Sequence, residues 1–223
     1  MLCKDVTIQY IDTLYRSVYN IEVDEKSGVK QAILNEALEL FSAKGYEGVS
    51  VSELTEAAGI TKPTLYYYFG SKEGLFEAVC QAHYTRLNSL IIKNAVYKPR
   101  PDSYFQDIFR TLSKITEVYF SFARENELFY RTVLANLSMP RSSSVFEIVK
   151  KYHFTQFEVI DSMFRDMAET HGNLNGKNKT LTWSFIGTIN SYIGLFFSGY
   201  SANALNDKIV KELVQQFMHG IYA

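Results

Sequence analysis

The sequence predicts an all-α protein, and three observations carry that prediction. Apolar residues recur at three- and four-residue intervals along much of the chain, as in Phe105, Ile108, Phe109, Leu112, Ile115, Tyr119 and Phe122, the mark of a helix with one buried face. No segment of useful length alternates apolar and polar residues as a half-buried strand does. Only four prolines interrupt the 223 residues, and each falls where a helix can begin or end.

Taken from the start, Ile8, Ile11, Leu14, Tyr15 and Val18 fall at helical spacing, so residues 1–25 read as an extension forming an amphipathic helix. Residues 26–44 make the next helix, with Ile33, Ala37, Leu40 and Phe41 inward, and Gly45 stops it. Ser50 and Glu53 form the S-x-x-E pattern in which side chain and backbone cap each other. Behind them Val51, Leu54 and Ala58 share a face, which gives a short helix over 51–58. Gly59 supplies the left-handed residue that ends it, and Ile60 plugs the corner. Thr61 can cap the following helix, and Pro63 lies in its first turn, where a missing N–H is harmless. Ser71 then caps a long helix over 72–95, with Leu75, Phe76, Val79, Leu87 and Leu90 on its buried side. The two prolines of Lys98-Pro99-Arg100-Pro101 break that helix and mark a boundary. Five helices are expected beyond it: over 102–125, over 127–137, from a second capping box at Ser144 and Glu147 to about 169, over 179–202 and over 207–222.

Two short helices joined by a tight turn at Gly59 make a helix-turn-helix, whose second helix lies in the major groove of DNA. The same residues resemble the TetR family of bacterial transcriptional regulators. Gly45, Tyr46, Ser50, Val51, Leu54, Ala58, Gly59, Ile60, Thr61, Pro63, Leu65, Tyr66, Tyr68, Phe69, Ser71, Lys72, Glu73 and Leu75 stand in register with its pattern. The chain departs from it at Val49, where a hydroxyl is common, and at Thr55, where a small Ala is usual.

The resemblance implies a helix-turn-helix DNA-binding domain over 26–75, a connector helix over 76–98, and an effector-binding and dimerisation domain over 99–223. It places Tyr66 and Phe69 largely in the small core. Thr61, Lys62, Pro63, Thr64, Tyr67 and Tyr68 are left for the DNA side, with Ser50 and Lys72 holding the backbone from the flanking helices. By its chemistry Lys62 reaches guanine O6/N7 or a phosphate, Thr64 a phosphate or a thymine methyl, and Tyr67 a phosphate through its hydroxyl. Core packing competes as a reading of three adjacent tyrosines; it is assigned to Tyr66, and the DNA role to Tyr67. The implied partners are double-stranded, roughly palindromic operator DNA and a second copy of the chain, with the two reading helices about 34–36 Å apart.

The 181–200 segment carries no charge and is long enough to span a bilayer. Thr182, Ser184, Thr188, Asn190, Ser191 and Ser198 make it too polar for that, and it lacks a one-sided basic flank. Its small residues Ser184, Gly187, Ser191, Gly194 and Ser198 form a stripe that invites close approach of another helix, and the resemblance implies a four-helix dimer interface there. Aromatic residues, 15% of the chain, concentrate in the second half. A core is the plain reading, and an effector pocket for a small hydrophobic or aromatic molecule is the one the resemblance implies. Its expected lining is Phe109, Tyr119, Phe122, Tyr130, Tyr152, His153, Phe157 and Trp183, with Glu117, Arg131, Asn136, Gln156 and Asn190 as further polar handles.

Enzymatic readings find no support. His83, His153, His171 and His219 lack metal-ligand spacing, and no nucleophile elbow, phosphate loop or dinucleotide fingerprint occurs. No catalytic residue, metal or cofactor is therefore expected. Cys3 and Cys80 make neither a disulfide framework nor a metal site, and no secretory signal is seen, so a cytoplasmic location is expected. A net charge of −1 gives no basic footprint. That balance, with Val49, supports the rival reading: a ligand-binding or scaffold protein that has kept the fold and lost operator binding.

Overall fold

The computed structural model describes residues 25–100, 103, 105–137 and 143–219. The helix expected within residues 1–25 lies outside these, Glu25 apart. All regular structure among the described residues is helical: α1 Glu25–Lys44, α2 Val51–Ala57, α3 Lys62–Phe69, α4 Lys72–Asn94, α5 Gln106–Glu125, α6 Glu127–Leu137, α7 Phe146–Thr170, α8 Asn178–Phe197 and α9 Asp207–His219, with a short 3-10 turn at Gly172–Leu174. None of these helices is long and apolar enough to cross a membrane.

The chain folds as an N-terminal three-helix helix-turn-helix module, α1 to α3, followed by a larger helical body. α4 carries both cores. In its first turns Phe76 meets Phe41 of α1 and Tyr46, with ring centroids 5.3 and 5.2 Å away. Two turns on, Tyr84 stacks on Tyr152 of α7 at 5.4 Å and meets Phe129 of α6 edge-on at 5.0 Å. Buried rings of this size each contribute about 1.5–3 kcal/mol relative to exposure. A single buried cluster thus runs without a break from Ile33 to Val214. α6 also packs directly on α1, giving the body a second contact with the module.

Several expected boundaries move. α4 ends at Asn94, one residue from its expected end, where the N–H of Ala95 still reaches Ile91, short of the prolines. The capping box at Ser144 and Glu147 does not form: α7 begins after Val145 with no side-chain cap, and Glu147 turns outward to Lys150 at 3.1 Å. α8 stops at Phe197 rather than running to 202, because Gly199 adopts φ 73° and the N–H of Tyr200 turns back to Leu195.

The end of the body remote from the module is held by a buried polar knot. The hydroxyl of Tyr97 donates to Asp107 Oδ2 at 2.7 Å, and Asp107 also accepts the backbone N–H groups of Arg100 and Ile108. His171 Nε2 lies 3.2 Å from Asp107 Oδ1, and both side chains are buried. Burial raises the Asp107 carboxyl and these hydrogen bonds lower it; the bonds prevail and hold it below the ordinary range.

Candidate nucleic-acid interface

The turn between α2 and α3 is built as the sequence predicts. Ser50 Oγ accepts the N–H of Glu53 at 3.2 Å while Glu53 Oε2 accepts that of Ser50 at 2.8 Å. Glu53 also takes the ammonium of Lys44 at 2.6 Å, so the end of α1 is latched to the start of α2. The lysine first, and the Ser50 hydrogen bonds after it, hold the Glu53 carboxyl down to about 2. Gly59 turns the corner at φ 62°, and Thr61 caps α3 with its hydroxyl 2.8 Å from that of Thr64. Leu54 and Leu65 are fully buried between the two helices.

Both departures from the family pattern are accommodated inside. Val49 is buried in the core, as an apolar residue should be there. Thr55 is buried as well and closes its hydroxyl onto the Ser52 carbonyl at 2.9 Å, which removes the cost of a lone polar group.

Thr61, Lys62 and Pro63 are exposed on the outer side of α3, Thr64 and Tyr68 are half-buried at its margins, and Tyr67 is 74% exposed. Ser50 is exposed at the near end of α2. Tyr66 joins them: at 47% exposure it is not the core residue the resemblance implies. Leu65 and Phe69, four apart, define the inner side, and one residue along a helix turns about 100° away from it. Phe69 itself is only half-buried.

Lys72 departs from its expected position more strongly. Its ammonium donates to the carbonyls of Tyr46 at 3.1 Å and Val49 at 3.0 Å, and lies 4.1 Å from the centroid of the Tyr46 ring. It ties the first turn of α4 to the loop between α1 and α2, instead of standing free toward the face.

Residues 33–79 match the family model described as bacterial regulatory proteins, tetR family. The N-terminal module is of the TetR family. The chain is 26% identical over 144 residues to the biofilm operon icaADBC negative transcriptional regulator IcaR of Staphylococcus aureus, a match covering 62% of this chain and 77% of IcaR. It is 46% identical over 57 residues to the transcriptional repressor ComR of Escherichia coli, covering 26% of this chain and 27% of ComR. Its fold is similar to that of FadR of Bacillus subtilis in complex with stearoyl-CoA, with a TM-score of 0.70 at 15% identity, covering 86% of this chain and 99% of that one. The chain is a transcriptional regulator of the TetR type.

The residues expected to line an effector pocket do not come together. Tyr119, Phe122 and Tyr130 are buried in the packed core, and burial pushes the Tyr119 and Tyr130 hydroxyls well above the usual range. The Tyr119 hydroxyl is bonded to Gln156, and that of Tyr130 to Asn190. Tyr152 stacks on Tyr84, Phe109 on Phe105, and Trp183 stands 62% exposed on the outer side of α8. Only His153 and Phe157 line a cavity of about 190 Å³, together with Asn136, Phe146, Val149, Lys150 and Phe154. Those α7 residues recur at helical spacing from 146 to 157, so the face was legible, but such a stripe reads first as core. Asn136 was named only as a handle.

On α8, Ser184, Gly187, Ser191 and Ser198 are exposed and Gly194 is half-buried. Leu195 and Trp183, 40% and 62% exposed, are large apolar side chains open to solvent on the same helix. The small-residue stripe is thus uncovered in the single chain.

Proposed function

We propose that this regulator is a homodimeric repressor that grips a roughly palindromic double-stranded operator and releases it when a small hydrophobic effector enters the helical body. The observation that carries the reading is the outer face of α3, where Thr61, Lys62, Pro63 and Tyr67 stand clear and Thr64 is half-buried while Leu65 is fully buried. Hydroxyls, one amine and a rigid ring on a short capped helix suit contacts to phosphates and base edges in a groove. The chain's negatively acting relatives, IcaR and ComR, support repression, and the stearoyl-CoA complex of FadR supports an effector in the body.

The uncovered stripe on α8 supports pairing, since a closed dimer buries the same patch on both subunits. Two copies then present two α3 helices, and an effector acts by favouring one separation over the other. α4 and α6 both pack on the module, so they transmit that preference. The test is a gel shift with DNA from upstream of the chain's own gene, alongside light scattering. Nanomolar binding by a dimer, weakened by an apolar ligand, supports the reading. A monomer that binds no DNA points to the fold retained without operator binding, a reading the inward Lys72 favours.

A further inference from the structure

The cavity between the end of α6 and the first half of α7 has a chemistry of its own. Its volume is about 190 Å³, somewhat more than the roughly 150 Å³ apolar cavities that admit one benzene ring. Phe146, Phe154 and Phe157 make most of its wall, and Phe154, 59% exposed, stands at the mouth.

One polar group is held inside without a partner. Asn136 is 2% exposed, and its Nδ2 donates to the Thr132 carbonyl at 2.6 Å. That bond fixes the amide, because a flip would set oxygen against oxygen. Its Oδ1 is thus a buried acceptor with no donor among the described residues, on a side chain that lines the cavity. Buried polar atoms left this way are rare and costly in native proteins.

The other groups narrow the ligand further. His153 lines the cavity too, its Nδ1 buried without a partner among the described residues, and burial holds its imidazole pKa down to about 4, so the ring is neutral at physiological pH. Lys150 is exposed and already paired with both carboxylate oxygens of Glu147. Among the described residues that line it, there is neither a free cation for an anion nor a carboxylate for an amine.

We propose that this chamber takes a compact, neutral, single-ring molecule that donates one O–H or N–H hydrogen bond to Asn136 Oδ1, the class of phenols and small indoles. The proposal rests on the reading that an effector enters the body, and it names the chemistry of that effector and its seat. The ring packs among Phe146, Val149 and Phe157, and the imidazole of His153 takes the tautomer that suits the ligand's edge. A long acyl chain does not fit without parting the helices. Asn136 lies in the last turn of α6, the helix that packs on α1, so an occupant bears directly on the DNA-binding module.

The experiment is calorimetry and thermal shift on the full chain with phenol, indole, toluene, benzoate, benzylamine and a long-chain acyl-CoA. Phenol and indole bind, toluene at least tenfold more weakly, and benzoate and benzylamine not measurably. Asn136→Leu removes the advantage of phenol over toluene, and Val149→Phe, which fills the chamber, removes binding of both. Should Val149→Phe fail to fold, the Asn136→Leu comparison decides alone. Equal affinity for phenol and toluene, no effect of Asn136→Leu, or absence of binding up to millimolar ligand overturns the proposal. Operator release by the acyl-CoA without binding of the phenols overturns it and leaves the effector reading standing. Phenol binding that depends on Asn136 but leaves operator affinity unchanged supports the site and refutes its regulatory role.

Discussion

The ammonium of Lys72 is bonded to the carbonyl of Tyr46 at 3.1 Å and rests 4.1 Å from the centroid of that residue's ring. With a further bond to Val49 O at 3.0 Å, it closes the loop between α1 and α2 against α4. A lysine held this way sets the angle of the reading helices and contributes little as a phosphate clamp.

Lys72→Gln should therefore lower stability by about 1–3 kcal/mol, the cost of charge-assisted bonds lost at a half-buried site. Operator affinity should fall with it, while the slope of log affinity against log salt stays near its original value. Lys62→Ala should behave in the opposite way, with unchanged thermal stability and a slope reduced by about 1. Calorimetric melting and binding titrations at several salt concentrations separate the two. A reduced slope in Lys72→Gln with an unchanged melting temperature would restore Lys72 to the phosphate backbone.

Tyr66 and Tyr67 stand outside the core at 47% and 74% exposure. Replacing either with Ala should change stability by less than about 0.5 kcal/mol and weaken operator binding. Leu65→Ala, between the same two helices, should cost about 2–5 kcal/mol. Urea unfolding of the three variants compares them directly, and a core-sized loss for Tyr66→Ala would return that ring to the interior.

The module was legible because its signals are local. A capping serine, a glycine at a positive φ and a proline in the first helical turn each act within four residues, and all were found where the spacing put them. What failed turned on packing that spacing does not show, and the local capping pattern at Ser144 and Glu147 failed as well. Nothing near Lys72 in sequence announces carbonyls 23 and 26 residues away, and three consecutive tyrosines do not say which one faces out until Leu65 and Phe69 fix the inner side. The aromatic stripes of the body are largely buried, with Trp183 and Phe154 as exposed exceptions, but periodicity does not distinguish a filled core from a chamber. Asn136 and Phe146 meet only because α6 and α7 pack side by side.

The junction between α3 and α4 is unusually close. A Cβ on Gly74 would lie 2.0 Å from the carbonyl oxygen of Phe69, which is backbone and has little room to yield. Gly74→Ala should then destabilise by about 1–3 kcal/mol and tilt α3, with loss of operator binding beyond the loss of folded protein. Gly28→Ala is the control, since nothing lies within 4 Å of its added methyl and the residue sits in a helix. It should stabilise by about 0.5–1 kcal/mol. Melting curves with circular dichroism at matched concentrations check both.

Acid should act on the body in two windows. His153 is neutral in the folded chain down to about pH 4, whereas an unfolded histidine takes up its proton near about 6.5. Between those values the unfolded chain binds more protons, so stability falls as pH falls, by at most about 1.4 kcal/mol per pH unit. Asp107, facing Tyr97 and His171, is held below its ordinary range by hydrogen bonds that outweigh its burial. Its contribution is complete above about pH 4 and is lost as the carboxylate takes a proton below that. Both effects have the same sign, but different variants remove them. His153→Phe should flatten the stability profile between about pH 6.5 and 4 and leave the steeper acid limb in place. Asp107→Asn should lower stability at neutral pH and flatten that lower limb instead. Urea midpoints measured from pH 7 to pH 3 distinguish the two, and a profile of His153→Phe that retains the upper slope would mean that another group takes up the proton.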